Sequence, residues 1–476
     1  MIPYLAVSLC IAICIEIALI VHIEKTAGRV QECMTVSLGT VNRKGVSDHW
    51  KEKLLLYYAG RMFAASLKLG GLIFLIFTPA LLLYYLGGRL DPAIPPFFIS
   101  PKGLIFSTVL SVAYLPIRLA FRSSGKENQD YSASSRLLHH LALGPRIIRE
   151  ASFDVEQASV KCKPDDQRGH VFVSGLARAG TTLLMRLLYE SGDFCSLTYR
   201  DMPFVLAPNL WKKLSAGSRK DMEKKERAHK DGVLVDFDSP EALEEVFWKT
   251  FCAEKYLHSD HLSPMQADKE TVEKFRAYIA SILCAHENAE GRYLSKNNNN
   301  ILRLDAVRES FPNAVILIPF RHPLTHAASL MNQHRLFLKS QKQDAFALKY
   351  MIWLAHHEFG GGHRPFRFSE EAQAKGAPLA LDYWLRLWID AYGFLYPKSN
   401  DVNARLVCYE DLCKNPATAL ENLGKMAKIT QPMGRQNPIR SGVRKVLDPY
   451  DPVLLANAES LYLQLREKGS WLTQAL

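Results

Sequence analysis

Residues 170–190 read H-V-F-V-S-G-L-A-R-A-G-T-T-L-L-M-R-L-L-Y-E, and the fold turns on them. Val171 to Val173 is a short apolar run of the kind a buried strand shows. Gly175 and Gly180 frame a turn, and Leu183, Leu184, Leu187 and Leu188 then recur at helical spacing. The unit is therefore strand, glycine loop, helix. Such a unit aims a row of backbone N–H groups and a helix N-terminus at an anion. Thr181 and Thr182 stand at the helix start, where hydroxyls reach phosphate oxygens.

The glycine spacing is that of a phosphate loop, G-x-x-x-x-G, but Thr181 follows the second glycine where a nucleoside triphosphatase needs lysine. The cation comes earlier, at Arg178. A kinase or ATPase is thereby disfavoured, because nothing in the loop replaces the lysine that spans the β- and γ-phosphates.

Two further stretches belong with the loop. In F-P-N-A-V-I-L-I-P-F-R-H-P-L-T-H-A-A-S-L, residues 311–330, an apolar strand runs from Ala314 to Phe320 and Pro323 suits the first turn of a helix. Arg321 at the strand end and Ser329 on the helix can then face one pocket, where a planar guanidinium and a hydroxyl suit a terminal phosphate. Residues 404–416 read A-R-L-V-C-Y-E-D-L-C-K-N-P.

S-G-L-A-R-A-G-T-T-L-L resembles the 5′-phosphosulfate loop of the sulfotransferase family. Arg178 falls on the family's basic residue, Gly180, Thr181 and Thr182 on its G-T-T, and Ala179 replaces its usual serine. Arg321 and Ser329 resemble the family's 3′-phosphate pair, and Y-E-D-L its third strand ending. The resemblance covers roughly residues 168–425. It implies a three-layer, P-loop-like α/β domain with a mainly parallel sheet, and the alternating strand and helix pattern agrees. It implies 3′-phosphoadenosine-5′-phosphosulfate (PAPS) as co-substrate and no metal. Tyr409 would contact the adenine, with Glu410 and Asp411 as caps and ion pairs.

The same resemblance puts Lys296 beside Arg178 on the transferring group. Asp201, in S-L-T-Y-R-D-M-P-F-V, is the expected base, since some family branches carry a carboxylate past the loop and a carboxylate can take a hydroxyl proton. Other branches place a histidine two residues after the lysine; here that residue is Asn298. His229 is the fallback base. Arg440, Arg444 and Lys445, in a basic glycine-containing segment at 438–447, are further candidates for phosphate contact. The glycine-rich stretch H-H-E-F-G-G-G-H-R-P at 356–365 suits a substrate lid better than a metal site, and the Trp/Tyr/Leu run at 383–396 is helical in spacing and reads as core.

The chain has 476 residues, 48% of them hydrophobic, and a formal net charge of +11. No Lys/Arg run is interleaved with aromatics, so a nucleic-acid groove is not indicated. Nine cysteines without C-x-x-C argue against zinc and thioredoxin-like chemistry and fit a reducing compartment. Apolar stretches at 3–22, 69–86 and 103–121 are near spanning length, which makes 1–121 a membrane region of about three spans. Glu16 within the first needs a polar partner. Pro79 and Pro116 interrupt the others, and one stretch lying in the interface fits as well. Seven Lys/Arg in 23–65 and five in 122–150, against two in 87–102, put a multi-pass protein's catalytic domain, 169–476, in the cytoplasm beyond a polar linker at 122–168. The reading is sulfuryl transfer from PAPS to a hydroxyl of a membrane-associated lipid, glycolipid or glycan. The rivals are a P-loop-type kinase and a non-catalytic membrane adaptor with a degenerate nucleotide site.

Overall fold

A computed structural model describes residues 2–21, 48–104, 133–165, 167–215, 242–286, 291–368, 376–430 and 446–474, with short pieces between them. The chain divides into two compact units, Met1–Leu138 and His139–Leu476.

In the first unit, α1 (Ile2–Ile20) and α2 (Asp48–Gly87) are the long helices. Pro3–Ile20 and Glu52–Gly87 are long and apolar enough to cross a bilayer, with mean hydropathies of 2.3 and 2.1. Only 11% and 6% of these windows is buried within the protein. The second begins well before the expected 69–86, because α2 starts at Asp48 and its residues 54–67 are mostly apolar. Of the expected third stretch, 115–121 lies outside the described residues. Glu16 has the polar partner it needs: the Tyr114 hydroxyl donates to its Oε1 at 3.2 Å.

The second unit is an α/β domain on a five-stranded parallel sheet. The strands are β1 (Val171–Val173), β2 (Phe194–Cys195), β3 (Arg292–Lys296), β4 (Val315–Phe320) and β5 (Arg405–Cys408), in the order β2-β3-β1-β4-β5. Strands buried on both faces read as continuous apolar runs, which is why V-F-V and V-I-L-I-P-F show no alternation. Phe172, Ile316, Ile318 and Leu406 point into one core. That core includes residues of α4 (Glu245–Tyr256), α5 (Lys269–Ala285), α6 (Pro323–Gln343), α7 (Leu381–Asp401) and α8 (Pro452–Lys468). Val171, Val173, Leu294, Leu317 and Val407 point the other way, onto α3 (Thr181–Tyr189) and the helix Pro416–Met426. The result is three layers. The aromatic run at 383–396 is core, with Trp384, Trp388 and Tyr392 at most 1% exposed.

Two expectations are corrected. The stretch 122–168 is not one linker, since residues from His139 onward belong to the globular unit. Within its helix Arg146–Ser159, Arg149 donates to Leu143 O, Gly144 O and Thr250 Oγ1, and Glu156 accepts from Asn209 and Leu210. The cysteines are not all free thiols either, because Cys162 and Cys284 form a disulfide across 122 residues. The two lie too far apart in sequence for spacing to pair them; β1 and α5 bring them together. Mass spectrometry of unreduced digests should recover the linked peptides. Cys284→Ser should lower stability by about 2–4 kcal/mol in denaturant titrations.

Candidate active site

The predicted residues gather because four parallel strands end at one edge. The loop 174–180 leaves β1, Lys296 ends β3, Arg321 follows β4 and Tyr409 follows β5. Parallel register sets Val173 opposite Lys296 and Leu317. Carboxyl ends of strands on either side of a central one are where open α/β sheets bind ligands.

The loop is tight for stated reasons. A Cβ on Gly175 would stand 2.9 Å from the Pro319 carbonyl oxygen, so β1 approaches β4 there only as glycine. Gly180 has φ +96°, and a Cβ on it would meet the Tyr409 ring at 2.7 Å. Arg178 is itself left-handed, with φ 69°, a strain that side-chain-bearing residues hold only where the surroundings impose it. These two bends turn the chain from strand into α3, whose first-turn amides have no acceptor within the helix. Thr181 is buried and Thr182 half-buried at that start; Ala179 is fully buried, so its methyl fills space under the loop.

Arg178 Nε donates to Ser329 Oγ at 3.3 Å, joining the loop to α6. The Arg321 guanidinium lies 5.0 Å from the centre of the Tyr409 ring, within cation–π reach. Tyr409 thus braces both Gly180 and Arg321. Burial pushes its phenol up to about 12. Glu410 accepts from the His322 amide and the Tyr462 hydroxyl, and Asp411 pairs with Arg466 at 2.6 Å, so both acids are structural.

Asp201, the expected base, caps a short turn. It closes a capping box on the short 3-10 turn Tyr199–Asp201, and its Oδ2 accepts from Thr198 N at 2.7 Å and Thr198 Oγ1 at 3.1 Å. His286 stands 3.7 Å away. All three groups meet the same carboxylate oxygen, Oδ2. His229, Arg440, Arg444 and Lys445 lie outside the described residues. The stretch 356–365 is a packed wall rather than a flexible lid. The Gly360 amide bonds His334 Nδ1, the Gly361 amide bonds Gln341 Oε1, and a Cβ on Gly360 would strike Gln341. Among the described residues, no group of three or more His, Cys, Asp or Glu is arranged to hold a metal.

Sequence reasoning missed three features. The asparagines at 297–300, too short for a low-complexity tract, are all buried. Asn297 donates to Glu245, Asn298 to Glu358, Asn299 to the Ala355 carbonyl and Asn300 to Glu244. His326 lies under the loop and bonds the Ala177 carbonyl at 2.8 Å. Glu358 lines a narrow pocket of about 20 Å³ whose wall includes Leu176 and Ala177 of the loop. An i, i+3 or i, i+4 pattern would expose none of these, since each is fixed by residues distant in sequence.

Burial, opposed by the bond to Ala177, holds His326 down to about 3. Burial likewise leads in holding His170, His357 and His363 at about 4. Each therefore stays neutral in the folded chain while an unfolded histidine protonates near 6.5. Stability should fall as pH drops from about 6.5 to 4, by about 1.4 kcal/mol per pH unit for each histidine. Denaturant titrations at several pH values should show this slope, and His326→Gln should lessen it by one histidine's share, about 1.4 kcal/mol per pH unit.

Three solved structures are similar to this chain. Sulfotransferase STF1 from Mycobacterium tuberculosis H37Rv is 15% identical, over 82% of this chain and 97% of that one, with a TM-score of 0.38. Sulfotransferase STF9 from Mycobacterium avium is 17% identical, over 71% and 81%, with a TM-score of 0.34. A sulfotransferase from Alicyclobacillus acidocaldarius is 12% identical, over 65% and 97%, with a TM-score of 0.31. Likenesses of this degree add nothing to the assignment. No curated protein matches the chain. The model of the sulfotransferase family matches residues 170–432, more than half of the sequence and all four strand ends that build the site. The chain belongs to the sulfotransferase family.

Proposed function

We propose that this sulfotransferase takes its sulfuryl group from PAPS and delivers it to a hydroxyl of a membrane-associated acceptor. The observation that carries the reading is the joining of three motifs at one sheet edge: Arg178 with Ser329, and Gly180 with Tyr409 and Arg321. The donor set fits a nucleotide with anionic groups at both its 3′ and 5′ positions. Residues 174–182 include no acid, and Arg178, Arg321 and Lys296 supply cations at three strand ends. The Ser174 hydroxyl beside the loop is fully buried and has no hydrogen-bond partner among the described residues. When bound, PAPS supplies a sulfur made electrophilic by its phosphate leaving group.

The roles follow from placement. The loop amides with Thr181 and Thr182 would hold the 5′-phosphate. Arg321 and Ser329 would hold the 3′-phosphate, with Tyr409 bracing Arg321 and contacting the adenine. Arg178 and Lys296 would stabilise negative charge gathering on the leaving oxygen, the kind of preorganised electrostatics that dominates transfer reactions. A triphosphate kinase is disfavoured by Thr181 in place of the lysine.

The two apolar helices support membrane anchoring. The Cys162–Cys284 bond favours an oxidising compartment for the globular unit, against the cytoplasmic side that the Lys/Arg distribution suggests. Protease added to sealed vesicles should spare the globular unit if it faces that compartment.

Adenosine 3′,5′-bisphosphate should bind the purified chain in calorimetry, and ATP with magnesium should not transfer phosphate. Arg178→Ala should weaken bisphosphate binding about 10- to 100-fold, the effect of losing a charged hydrogen bond. No heat of binding by the native chain would defeat the donor assignment.

A further inference from the structure

One helix holds the phosphate loop at two points. Ser329 of α6 meets the Arg178 side chain, and His326, one turn earlier on α6, holds the main chain just before it. The His326 Nε2 lies 2.8 Å from the Ala177 carbonyl oxygen. A carbonyl only accepts, so Nε2 carries the ring proton and Nδ1 is bare. Among the described residues, Nδ1 is buried without a hydrogen-bond partner, and no other bond reaches the Ala177 carbonyl.

The ring has little freedom to leave this bond. His326 is fully buried, and the Tyr392 ring of α7 lies 6.3 Å from it. Tyr392 is buried too, its hydroxyl donating to the Pro319 carbonyl at 2.8 Å. Burial, opposed by the bond to Ala177 and joined by the charges of Arg321 and Arg178, keeps a second proton off the ring down to about 3. His326 is therefore a fixed, neutral donor with one proton to give.

The consequence appears in the peptide plane it holds. A planar trans peptide points its C=O and the following N–H in opposite directions. With the Ala177 carbonyl turned onto His326, the Arg178 amide of the same plane turns away from that buried ring. Arg178 holds φ 69° in this arrangement. Half a turn of the plane would bring that φ to about −110°, in the broad β region where any side chain is at ease. Such a flip moves neither side chain, relieves Arg178 of its strain, and sets the negative end of a carbonyl where the amide had pointed. The bond from His326 opposes it.

We propose that His326 is a positioning residue for donor binding: its Nε2–H latches the peptide plane between Ala177 and Arg178, so that the Arg178 amide, and not the Ala177 carbonyl, faces the donor's 5′-phosphate. His326 acts through the loop and touches no part of the nucleotide. Its effect is confined to the 5′ end, because Arg321 and Ser329, assigned to the 3′-phosphate, are carried by the end of β4 and by α6 and not by the plane that flips. This rests on the reading of PAPS as the donor.

The test uses the purified full chain and two probes: adenosine 3′,5′-bisphosphate in calorimetry, and adenosine 3′-monophosphate through its displacement of the bisphosphate. His326→Leu removes the donor at similar volume. It should weaken bisphosphate binding by about tenfold or more, the effect of losing one hydrogen bond to a charged group, and leave the 3′-monophosphate within about threefold of its native affinity. His326→Gln, whose terminal amide can take the place of Nε2, should keep bisphosphate binding within about threefold of native. A residue that merely supported the fold would not separate the two probes. Bisphosphate binding by folded His326→Leu within about threefold of native overturns the proposal, and so does an equal loss of both probes. A loss in His326→Gln as large as that in His326→Leu overturns it as well. If denaturant titration shows that His326→Leu does not fold, His326→Asn is read in its place, because its shorter amide stops short of the carbonyl. A native chain that binds no bisphosphate defeats the donor assignment first, and this inference with it.

Discussion

Everything at the sheet edge depends on a chain reversal through left-handed backbone. Arg178 at φ 69° and Gly180 at φ +96° turn β1 into α3 within the loop that Gly175 and Gly180 frame. An extended path would carry the chain past Ser329; the bend brings Arg178 within 3.3 Å of it. Tyr409 fits against Gly180 only because no Cβ is there, and the same ring then sits beside Arg321. Strain of this sort costs on the order of 1–3 kcal/mol per residue and lasts only where packing over-determines it. Here the packing comes from β4 at Gly175 and from β5 through Tyr409.

A second constraint lies beneath the first. Glu244 and Glu245 open α4 in the core, each about 1% exposed. Buried carboxylates are tolerable only with full partners. Glu245 has Arg303 at 3.0 Å, Asn297 at 2.8 Å and the Tyr256 hydroxyl; Glu244 has Asn300, Trp248 and Tyr293. The Arg303 guanidinium also lies over the rings of Trp248 and Tyr256, at 4.9 and 4.5 Å. This network fixes the turn after β3, and with it Lys296 and Asn298. Asn298 and Asn299 then hold the segment from Ala355 to Glu358. Both carboxylates are partnered, although Arg303 Nε and Nη1 and the Oδ1 atoms of Asn298, Asn299 and Asn300 have no hydrogen-bond partner among the described residues; such a network gains little net stability but resists rearrangement, since losing one member strands the others. It therefore works as a positioning device joining the donor edge to the pocket.

The loop and the narrow pocket beside it are lined differently. The loop offers amides and cations to anions; the pocket has apolar walls and one carboxylate, Glu358. Their shared wall, Leu176 and Ala177, makes the two groups of residues neighbours although no sequence motif spans them.

How much could be read from sequence depended on how local the information was. The loop, the two strand-end motifs and the membrane-length apolar runs are each written in contiguous residues, where glycine spacing, apolar runs and helical periodicity act over a few positions. Their convergence follows from parallel register, which any α/β alternation implies. Asp201 shows its capping bond to Thr198 only in the folded chain, and in sequence a carboxylate reads the same with or without it. The four asparagines, the Cys162–Cys284 pair and Glu358 were not legible, because each acquires its role from a partner 52 to 122 residues distant. Sequence alone determined the strand–loop–helix unit, the missing lysine and the cations at the strand ends, because backbone geometry and side-chain chemistry are local properties. Only the tertiary structure decided which side chains are buried together beneath the loop and whom they bond, because burial and partnership exist once the chain has closed on itself.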